Sequence, residues 1–314
     1  MIKDILGNEG YIDGIFMIKQ ATEAVSNSGS HYLALTLQDV SGTIDAKKWS
    51  IDPGDLEIAI AGSLIRVQGM SSMYRGHPQL KINELDAVDE SQVDLSKYIP
   101  VAPVPMDEMK KTLNDYIEMI QDKELHDLTK QVLTDHYNAY TTYPAAVTVH
   151  HAYVGGLLFH SLSICSQAIK VQEQYSYLSR DYLIAGSLLH DIGKTKELSA
   201  AKAPSYTSEG NLLGHISIGA MIVYEAGIKM NMDKEKLDVL VHMILAHHGE
   251  YEFGSPKLPA TAEAYVLHSL DDLDAKLECL RLAYDKTMEG DFTGKIIDGL
   301  FTFESNGIYL NRSF

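Results

Sequence analysis

Histidine and aspartate side chains recur on five successive helical segments in the second half of this 314-residue chain. One lies within the apolar run GGLLFHSLSI, two end LIAGSLLHDIGK, and a pair closes LVHMILAHHGE. The positions are His160, His190, Asp191, His215, His247, His248 and Asp271. Imidazole and carboxylate groups are ligands of borderline divalent metals, and helical bundles build metal sites from such groups on facing helices. The pattern therefore predicts a metal centre in an α-helical domain, and a set this large indicates two ions.

Each of these residues also has a purely structural interpretation. A single histidine on an apolar helix face is usually a hydrogen-bonded core residue, and the pair His247-His248 could cap a helix end. Such explanations do not account for the joint pattern, which is spread over five helices. We interpret the remaining histidines as packing or surface residues, although two of them precede the first ligand helix and could reach a substrate. The remaining histidines are His31, His77, His126, His136, His150, His151, His242 and His268, and the two that could reach a substrate are His150 and His151.

The chain is predicted to be helical from Met106 onward, because Met109, Leu113 and Ile117 recur at helical spacing. Further helices are predicted near 123–138, 157–174, 180–192, 215–228, 234–248 and 262–285. Gly193 stands where a glycine often ends a helix. No run approaches the ~18 apolar residues of a bilayer span, so we expect no membrane partner.

Residues 1–90 show a different pattern, in which alternating apolar and polar runs are separated by turn residues. The predicted strands are 11–18, 31–37, 43–49, 64–69 and 79–82. Five strands in so short a domain are typical of a small closed barrel. Three prolines make 91–105 a linker, and 106–300 form the helical domain. The aromatic tail, 301–314, is expected to pack on the body of the protein or on a neighbouring subunit. A homo-oligomer is therefore one possible state of the protein.

The helical domain resembles the HD superfamily of metal-dependent phosphohydrolases. Its H…HD…D signature matches His160, His190-Asp191 and Asp271. Additional ligands of two-metal members match His215, His247 and His248. The resemblance implies that Asp191 bridges the ions and takes part in catalysis. It further implies that His160, His190 and Asp271 hold one ion, and that His215, His247 and His248 hold the other.

Two assignments in this domain depend on the family pattern. Lys194, in HDIGK, matches a lysine that faces the substrate phosphate in many members and is our second catalytic candidate. Asp271, Asp272 and Asp274 compete for the last ligand position. The family pattern D-x-hydrophobic-D-A fits Asp271 as its first residue, so we choose Asp271 and leave Asp272 as the alternative.

The segment 9–88 resembles an OB-fold of the nucleic-acid-binding kind, through LTLQDVSGTIDAKKW and IRVQGMSSMYRGHPQLKI. Exposed aromatic rings on such barrels stack unpaired bases. Our candidates for base stacking are Tyr32, Trp49 and Tyr74. Our candidates for phosphate contact are Arg75, His77 and Lys81. The structural alternative is that the aromatic rings pack in the core or rim of the barrel.

The net charge of -17 works against a diffuse attraction of nucleic acid. Binding would have to rest on base stacking or on divalent cations that reverse the local field. The two cysteines, Cys165 and Cys279, are too few for a disulfide framework, and the first residues do not resemble a signal peptide. We therefore expect a reduced, cytoplasmic setting.

The combination of an OB barrel with an HD domain resembles the YhaM-type 3′-to-5′ exoribonucleases of Gram-positive bacteria. The most specific stretches are EGNLLGHISIG, AHHGEYEFGSPKLP and the run from Asp271 to Ala275. The resemblance implies hydrolysis of single-stranded RNA to nucleoside 5′-monophosphates, and single-stranded DNA stays open as a second substrate. It favours manganese, while the ligands also allow cobalt, iron, nickel or zinc.

Two other functions stay open at this point. One is an HD-type hydrolase of small or cyclic nucleotides, in which the barrel is regulatory or binds a protein. The other is a single-strand DNA-binding replication factor without catalytic turnover. A nuclease assay on unstructured RNA, compared with free nucleotides and with DNA, distinguishes the three.

Overall fold

The computed structural model describes residues 1–6, 8–26, 28–147, 151–285, 287–293, 296–297, 301–302 and 307–310. The chain divides into two compact units, Met1–Val101 and Ala102–Phe314. The first unit is built of strands and the second of helices. Of the residues discussed above, His150 and part of the predicted tail lie outside the described residues.

The first unit is a closed five-stranded barrel. Its elements are α1 (Ile2–Ile5), β1 (Gly10–Val25), β2 (His31–Asp39), β3 (Gly42–Lys48), α2 (Asp55–Ile58), β4 (Leu64–Tyr74) and β5 (His77–Ala87). The strand order is β1-β2-β3-β5-β4, and β1 closes the barrel because it pairs with both β2 and β4. The pairing of β3 with β5 is parallel. This is the OB topology, so the predicted barrel is confirmed.

The inner and outer faces of the barrel follow from the alternation of side chains along each strand. In β2, Leu33, Leu35 and Leu37 are buried inside, whereas Tyr32 lies on the outer face and is partly exposed. The first half of β1 pairs with β4 and the second half with β2. The register is irregular between Ile18 and Gln20, where β1 passes from one partner to the other.

The second unit is a helical bundle, as predicted. Its elements are α3 (Met106–Glu118), α4 (Lys123–Asp135), α5 (Tyr137–Thr142), α6 (Gly156–Gln174), α7 (Arg180–Leu189), α8 (Lys194–Glu197), α9 (Ser208–Lys229), α10 (Lys234–Ala246), α11 (Ala262–Tyr284), β6 (Ile296–Ile297) and β7 (Phe301–Thr302). Buried apolar side chains of α3, α4, α6, α7, α9 and α10 form its main core.

Three predicted helix boundaries differ by three residues or more from the observed ones. The helix predicted near 180–192 ends at Leu189, so His190 and Asp191 lie in the turn before α8. The helix predicted near 123–138 ends at Asp135 and is followed by the separate α5. The helix predicted near 215–228 begins at Ser208 and is interrupted at Gly214, which has φ 70° and ψ 152°.

Gly193 is required for a close approach rather than as a left-handed helix stop. Its backbone is right-handed, with φ −61°. A Cβ atom at this position would lie 2.0 Å from the carbonyl oxygen of His215 and 2.7 Å from the amide nitrogen of Gly219. The absence of a side chain therefore lets α9 pack directly on the turn that carries His190 and Asp191.

The described part of the tail packs within its own unit. Leu310 is buried, and the rings of Phe292 and Tyr309 lie 5.2 Å apart. Among the described residues, α9 is long and apolar enough to cross a bilayer by length and composition alone. Its break at Gly214 and its buried Val223 fit its place in the bundle.

Candidate metal centre

Five helices bring the seven predicted ligands together. His160 lies in the second turn of α6, and His190 and Asp191 follow the last residue of α7. His215 follows the break in α9, and His247 and His248 follow the last residue of α10. Asp271 lies in the middle of α11. The clustering arises because α7 and α10 both end, and α9 breaks, at one side of α6 and α11.

Asp191 lies between two groups of histidines. Its Oδ2 atom is 3.7 Å from Nε2 of His160 and 3.4 Å from Nε2 of His190. Its Oδ1 atom is 3.5 Å from Nε2 of His215 and 3.7 Å from Nε2 of His247. Each carboxylate oxygen thus faces one group of histidines.

Asp271 completes the group on the Oδ2 side. Its Oδ1 atom lies 3.1 Å from Nε2 of His160 and 3.9 Å from Nε2 of His190. The neighbouring Asp272 turns away and pairs with Lys276 at 2.6 Å. Of the three candidate aspartates, the structure brings Asp271 to the cluster.

The other group consists of His215, His247 and His248, whose ring nitrogens lie within 4.8 Å of one another. The rings of His247 and His248 are 4.5 Å apart, and those of His215 and His248 are 5.2 Å apart. The positive φ of Gly214 turns the chain so that His215 meets the end of α10.

The outer nitrogen of each histidine is held by an acceptor. The Nδ1 atoms of His190, His247 and His248 donate to the backbone carbonyls of Ser187, Ile244 and Phe253 at 2.9, 2.6 and 2.8 Å. The other two histidines use carboxylates. His160 donates to Asp274 at 2.8 Å, and His215 to Glu197 at 3.3 Å. Because these acceptors carry no proton, each Nδ1 atom must carry the proton of the hydrogen bond, and each Nε2 atom points into the cluster.

The electrostatics favour a cation. Burial lowers the pKa values of His247 and His248, so their rings stay neutral near pH 7. Burial opposes ionisation of Asp191, but Lys194 and His190 outweigh it and hold its pKa well below the usual range. Asp271 behaves in the same way, because the hydrogen bond from His160 and the interactions with the neighbouring histidines together outweigh its burial and lower its pKa. The cluster therefore presents the neutral imidazoles of His247 and His248 together with carboxylates.

Three buried atoms in this cluster have no hydrogen-bond partner among the described residues. They are Oδ1 of Asp191, Nε2 of His215 and Nε2 of His247. Burying an unsatisfied polar atom costs about 1–3 kcal/mol, and such clusters need an explanation. Carboxylate oxygen and imidazole nitrogen are donors for divalent metals, so these residues fit a metal ion.

Lys194 contacts the central carboxylate of the cluster. Its Nζ atom donates to Oδ2 of Asp191 at 2.6 Å and is buried with it. The carboxylate of Asp191 raises the pKa of Lys194 despite burial. The ammonium group therefore neutralises the central carboxylate directly.

The six barrel residues fall into one ring cluster and its surroundings. Tyr32 and Trp49 stack with centroids 4.6 Å apart and planes at 28°. Arg75 lies 5.5 Å over the ring of Tyr74. Lys47, which the sequence analysis did not select, lies over the rings of Tyr32, Trp49 and Tyr74 at 5.3, 5.5 and 5.7 Å.

Lys81 and His77 lie beside this ring cluster. Lys81 is the register partner of Lys47 across the parallel β3–β5 pair, and His77 is the register partner of Tyr74. Lys47 could have been found from the alternation of β3, because Ala46 and Lys48 point inward.

Comparison with known proteins gives three findings. The HD domain family matches residues 157–276, a range that contains all seven predicted ligands. The 3′-5′ exoribonucleases YhaM of Bacillus velezensis and of Bacillus subtilis are each 37% identical over 299 residues, covering 95% of this chain and 94% of the relative. The mitochondrial single-stranded DNA-binding protein Rim1 of S. cerevisiae has 15% identity and a TM-score of 0.22, covering 26% of this chain and 94% of that chain.

The chain belongs to the YhaM family of exoribonucleases. The predicted family is therefore confirmed, and with it an HD domain that depends on divalent metal. The YhaM relatives align over both units of the chain. The OB assignment of the first unit rests on its strand order.

Two residues near this YhaM-family centre lie behind the ligands and not among them. Asp274, a rival for the last ligand position, lies behind His160 and holds its Nδ1. His151, considered as a substrate contact, is 2% exposed and donates to Asp274 at 2.7 Å. The hydroxyl of Tyr153 lies 2.7 Å from the other ring nitrogen of His151. Sequence spacing does not show on which side of a ligand such residues lie.

Proposed function

We propose that the chain is a 3′-to-5′ exoribonuclease that hydrolyses single-stranded RNA to nucleoside 5′-monophosphates with two divalent ions. Membership of the YhaM family supports the reaction, since its curated relatives carry that activity in their names. The HD match supports the dependence on metal. Among candidate ions we favour manganese, and the nitrogen and oxygen donors are also compatible with cobalt, iron, nickel and zinc.

The position of Asp191 carries the two-ion proposal. Two donor atoms that each lie about 2.1 Å from one ion are about 3.0–3.4 Å apart. The separations around Oδ2 begin at 3.4 Å and those around Oδ1 at 3.5 Å. We assign His160, His190 and Asp271 to one ion, and His215, His247 and His248 to the other. Asp191 would contribute one oxygen to each.

Divalent ions at such a site act as Lewis acids and lower the pKa of water from 15.7 toward about 7. The protein contributes the rest of the arrangement. Asp274 and Glu197 hold the imidazoles of His160 and His215 in one tautomer, which keeps their lone pairs directed inward. Lys194 is the one lysine that hydrogen bonds to the central carboxylate among the described residues. Its ammonium group would stabilise negative charge on the phosphoryl oxygens.

The barrel would bind the single-stranded substrate. Its three clustered rings offer apolar faces to bases, and Lys47 and Lys81 offer positive charge to phosphates. Base stacking tolerates any sequence because every base has a π-face. This mode of binding is compatible with a chain of net charge -17.

The test is a time course on 5′-labelled, unstructured RNA with added manganese. We expect a ladder that shortens from the 3′ end and releases nucleoside 5′-monophosphates. Asp191→Ala should abolish the ladder and reduce bound metal in elemental analysis. Asp272→Ala is the matched control, because Asp272 lies on the same helix as Asp271 but pairs with a surface lysine. It should retain both activity and metal.

Three results would contradict the proposal. Turnover of cyclic or free nucleotides without shortening of RNA would favour a small-nucleotide hydrolase. Equal affinity for DNA without metal-dependent turnover would favour a replication factor. Full activity of a folded Asp191→Ala protein would refute the two-ion assignment.

A further inference from the structure

Two aromatic side chains project into solvent shortly after His248, a ligand of the metal centre. Tyr251 and Phe253 are 64% and 63% exposed, and both belong to one 3₁₀ turn. Only two residues separate His248 from Tyr251. Exposed apolar residues are common when scattered singly, but two rings on a single turn beside a catalytic centre point to a ligand.

This turn is fixed to the centre by hydrogen bonds. The carbonyl oxygen of Phe253 accepts from Nδ1 of His248 at 2.8 Å. The amide of Glu250 donates to the carbonyl of His248 at 2.9 Å. Ser255 donates from its hydroxyl to the carbonyl of Leu245 at 3.0 Å, which ties the end of the turn to α10. The backbone that carries the two rings is thus held at a set distance from the metal ligands.

The turn lies on the accessible side of the centre. His215, His248 and Asp271 are partly exposed, whereas His160, His190 and His247 are buried. Substrate must therefore approach past His215 and His248. The turn of Tyr251 and Phe253 extends from His248 on this side.

The charge next to the rings selects bases over phosphates. Glu250 and Glu252 flank Tyr251 and are both exposed. Two carboxylates repel a phosphate backbone, while an uncharged base face can lie on an aromatic ring. Leu212 and Leu213, which are also exposed, precede His215 and place further apolar side chains on a second ligand segment.

We propose that Tyr251 and Phe253 form a base-stacking site on the catalytic unit for the nucleotides at the 3′ end of the substrate. The site deepens the proposed exoribonuclease function, because it would hold the terminal bases while the scissile phosphate lies at the metals. It is separate from the ring cluster of the barrel.

The experiment uses the full chain and an RNA with 2-aminopurine as its 3′-terminal base. The fluorescence of this base falls when it stacks on a ring, so binding is measured without metal and without turnover. We expect quenching with the unmodified chain and weakened quenching with Phe253→Ala and Tyr251→Ala. Phe253→Trp should restore it. Tyr177→Ala is the matched control, because Tyr177 is 77% exposed and precedes the start of α7, the helix whose other end leads to His190.

A second measurement uses turnover in manganese. For the same RNA, KM should rise roughly tenfold in Phe253→Ala, the fold-change typical of one stacked base. With an RNA whose terminal nucleotides are abasic, the variant and the unmodified chain should have equal KM values. Metal content should not change. A chain that shortens no RNA would refute the proposed function, while the fluorescence experiment would still decide the stacking site.

Two results would overturn the stacking site. The first is quenching that is the same in Phe253→Ala, Tyr251→Ala and Tyr177→Ala. The second is an equal loss of kcat on normal and abasic RNA together with loss of metal. That result would mean that the turn acts only by holding His248.

Discussion

Nδ1 of His160 donates a 2.8 Å hydrogen bond to Oδ2 of Asp274, on the side of the ring opposite to Asp191 and Asp271. The same oxygen accepts from His151 at 2.7 Å. The bonds from His151 and His160 lower the pKa of Asp274 despite its burial, so it is an anion. A carboxylate behind a histidine ligand makes the ligand more basic and fixes its orientation.

We therefore predict that Asp274→Asn weakens metal binding by about 10–100-fold. The amide can still accept a hydrogen bond but carries no charge. Metal affinity should be measured by titration calorimetry, together with the Tm of the metal-free protein as a check on packing. Asp272→Asn serves as the control and should leave the affinity unchanged. An unchanged affinity in Asp274→Asn would remove the positioning role of this residue.

The pH dependence of metal binding follows from His160. Its burial lowers the pKa, but the hydrogen bonds with Asp271 and Asp274 outweigh this and raise it to about 9. In the metal-free protein the ring is thus doubly protonated at pH 7. A metal ion must displace the Nε2 proton, because ligands bind in the deprotonated form.

We predict that the apparent metal affinity rises as the pH rises from 7 to about 9, by about tenfold per unit for one displaced proton. Above pH 9 it should level off. The raised pKa also means that His160 stabilises the folded metal-free protein fully below its ordinary pKa of 6.5, and that this contribution is lost as the pH rises through about 9. Calorimetry in two buffers of different ionisation enthalpy counts the protons released. Affinity that is independent of pH over this range would contradict the argument.

Lys194 is predicted to affect catalysis and not metal retention. Its ammonium group already pairs with the carboxylate of Asp191, so a metal ion and Lys194 compete for the same negative charge. Lys194→Met should therefore bind metal as tightly as the unmodified chain or more tightly. Its kcat should fall, because positive charge near the phosphoryl oxygens is lost. A variant with weaker metal binding would show that Lys194 is needed to assemble the centre.

Much of this arrangement follows from sequence pattern. The apolar alternation of β2 predicts its buried face, and the histidine spacing predicts which helices meet. The second half of β1 was missed because KQATEAV is polar on both faces and is held by pairing with β2. The side of the ligand on which Asp274 and His151 lie depends on how α6 and α11 pack, which no local pattern contains.

Gly193 shows that sequence pattern also fails to predict some backbone contacts. A glycine after a helix predicts that the helix ends in a left-handed residue. The observed constraint is different, because a Cβ atom at Gly193 would lie 2.0 Å from the carbonyl oxygen of His215. We predict that Gly193→Ala costs at least about 1–3 kcal/mol in the free energy of unfolding, as overpacking does. It should also weaken metal binding, because α9 and His215 must move. Gly54→Ala is the control, since Gly54 has open space around it and a negative φ. Chemical denaturation of both variants tests this.

The last prediction concerns the ring cluster of the barrel, in which Lys47 lies over three aromatic rings. A cation at about 5–6 Å from a ring is attracted to its face, so Lys47 holds Tyr32, Trp49 and Tyr74 as one surface. A base stacked on this surface contributes about 1–3 kcal/mol to binding.

We expect Trp49→Ala to raise the Kd for long single-stranded RNA by about tenfold or more. Lys47→Ala should raise this Kd and also reduce the dependence of binding on salt. The control is Tyr11→Ala, because Tyr11 is exposed on β1 and bonds to Gln68 outside this cluster. Cleavage of a dinucleotide should be unchanged in all three variants, since the seven ligands of the metal centre all lie in the second unit. If dinucleotide cleavage falls as much as binding of long RNA, the barrel acts on the catalytic unit itself and not on the strand.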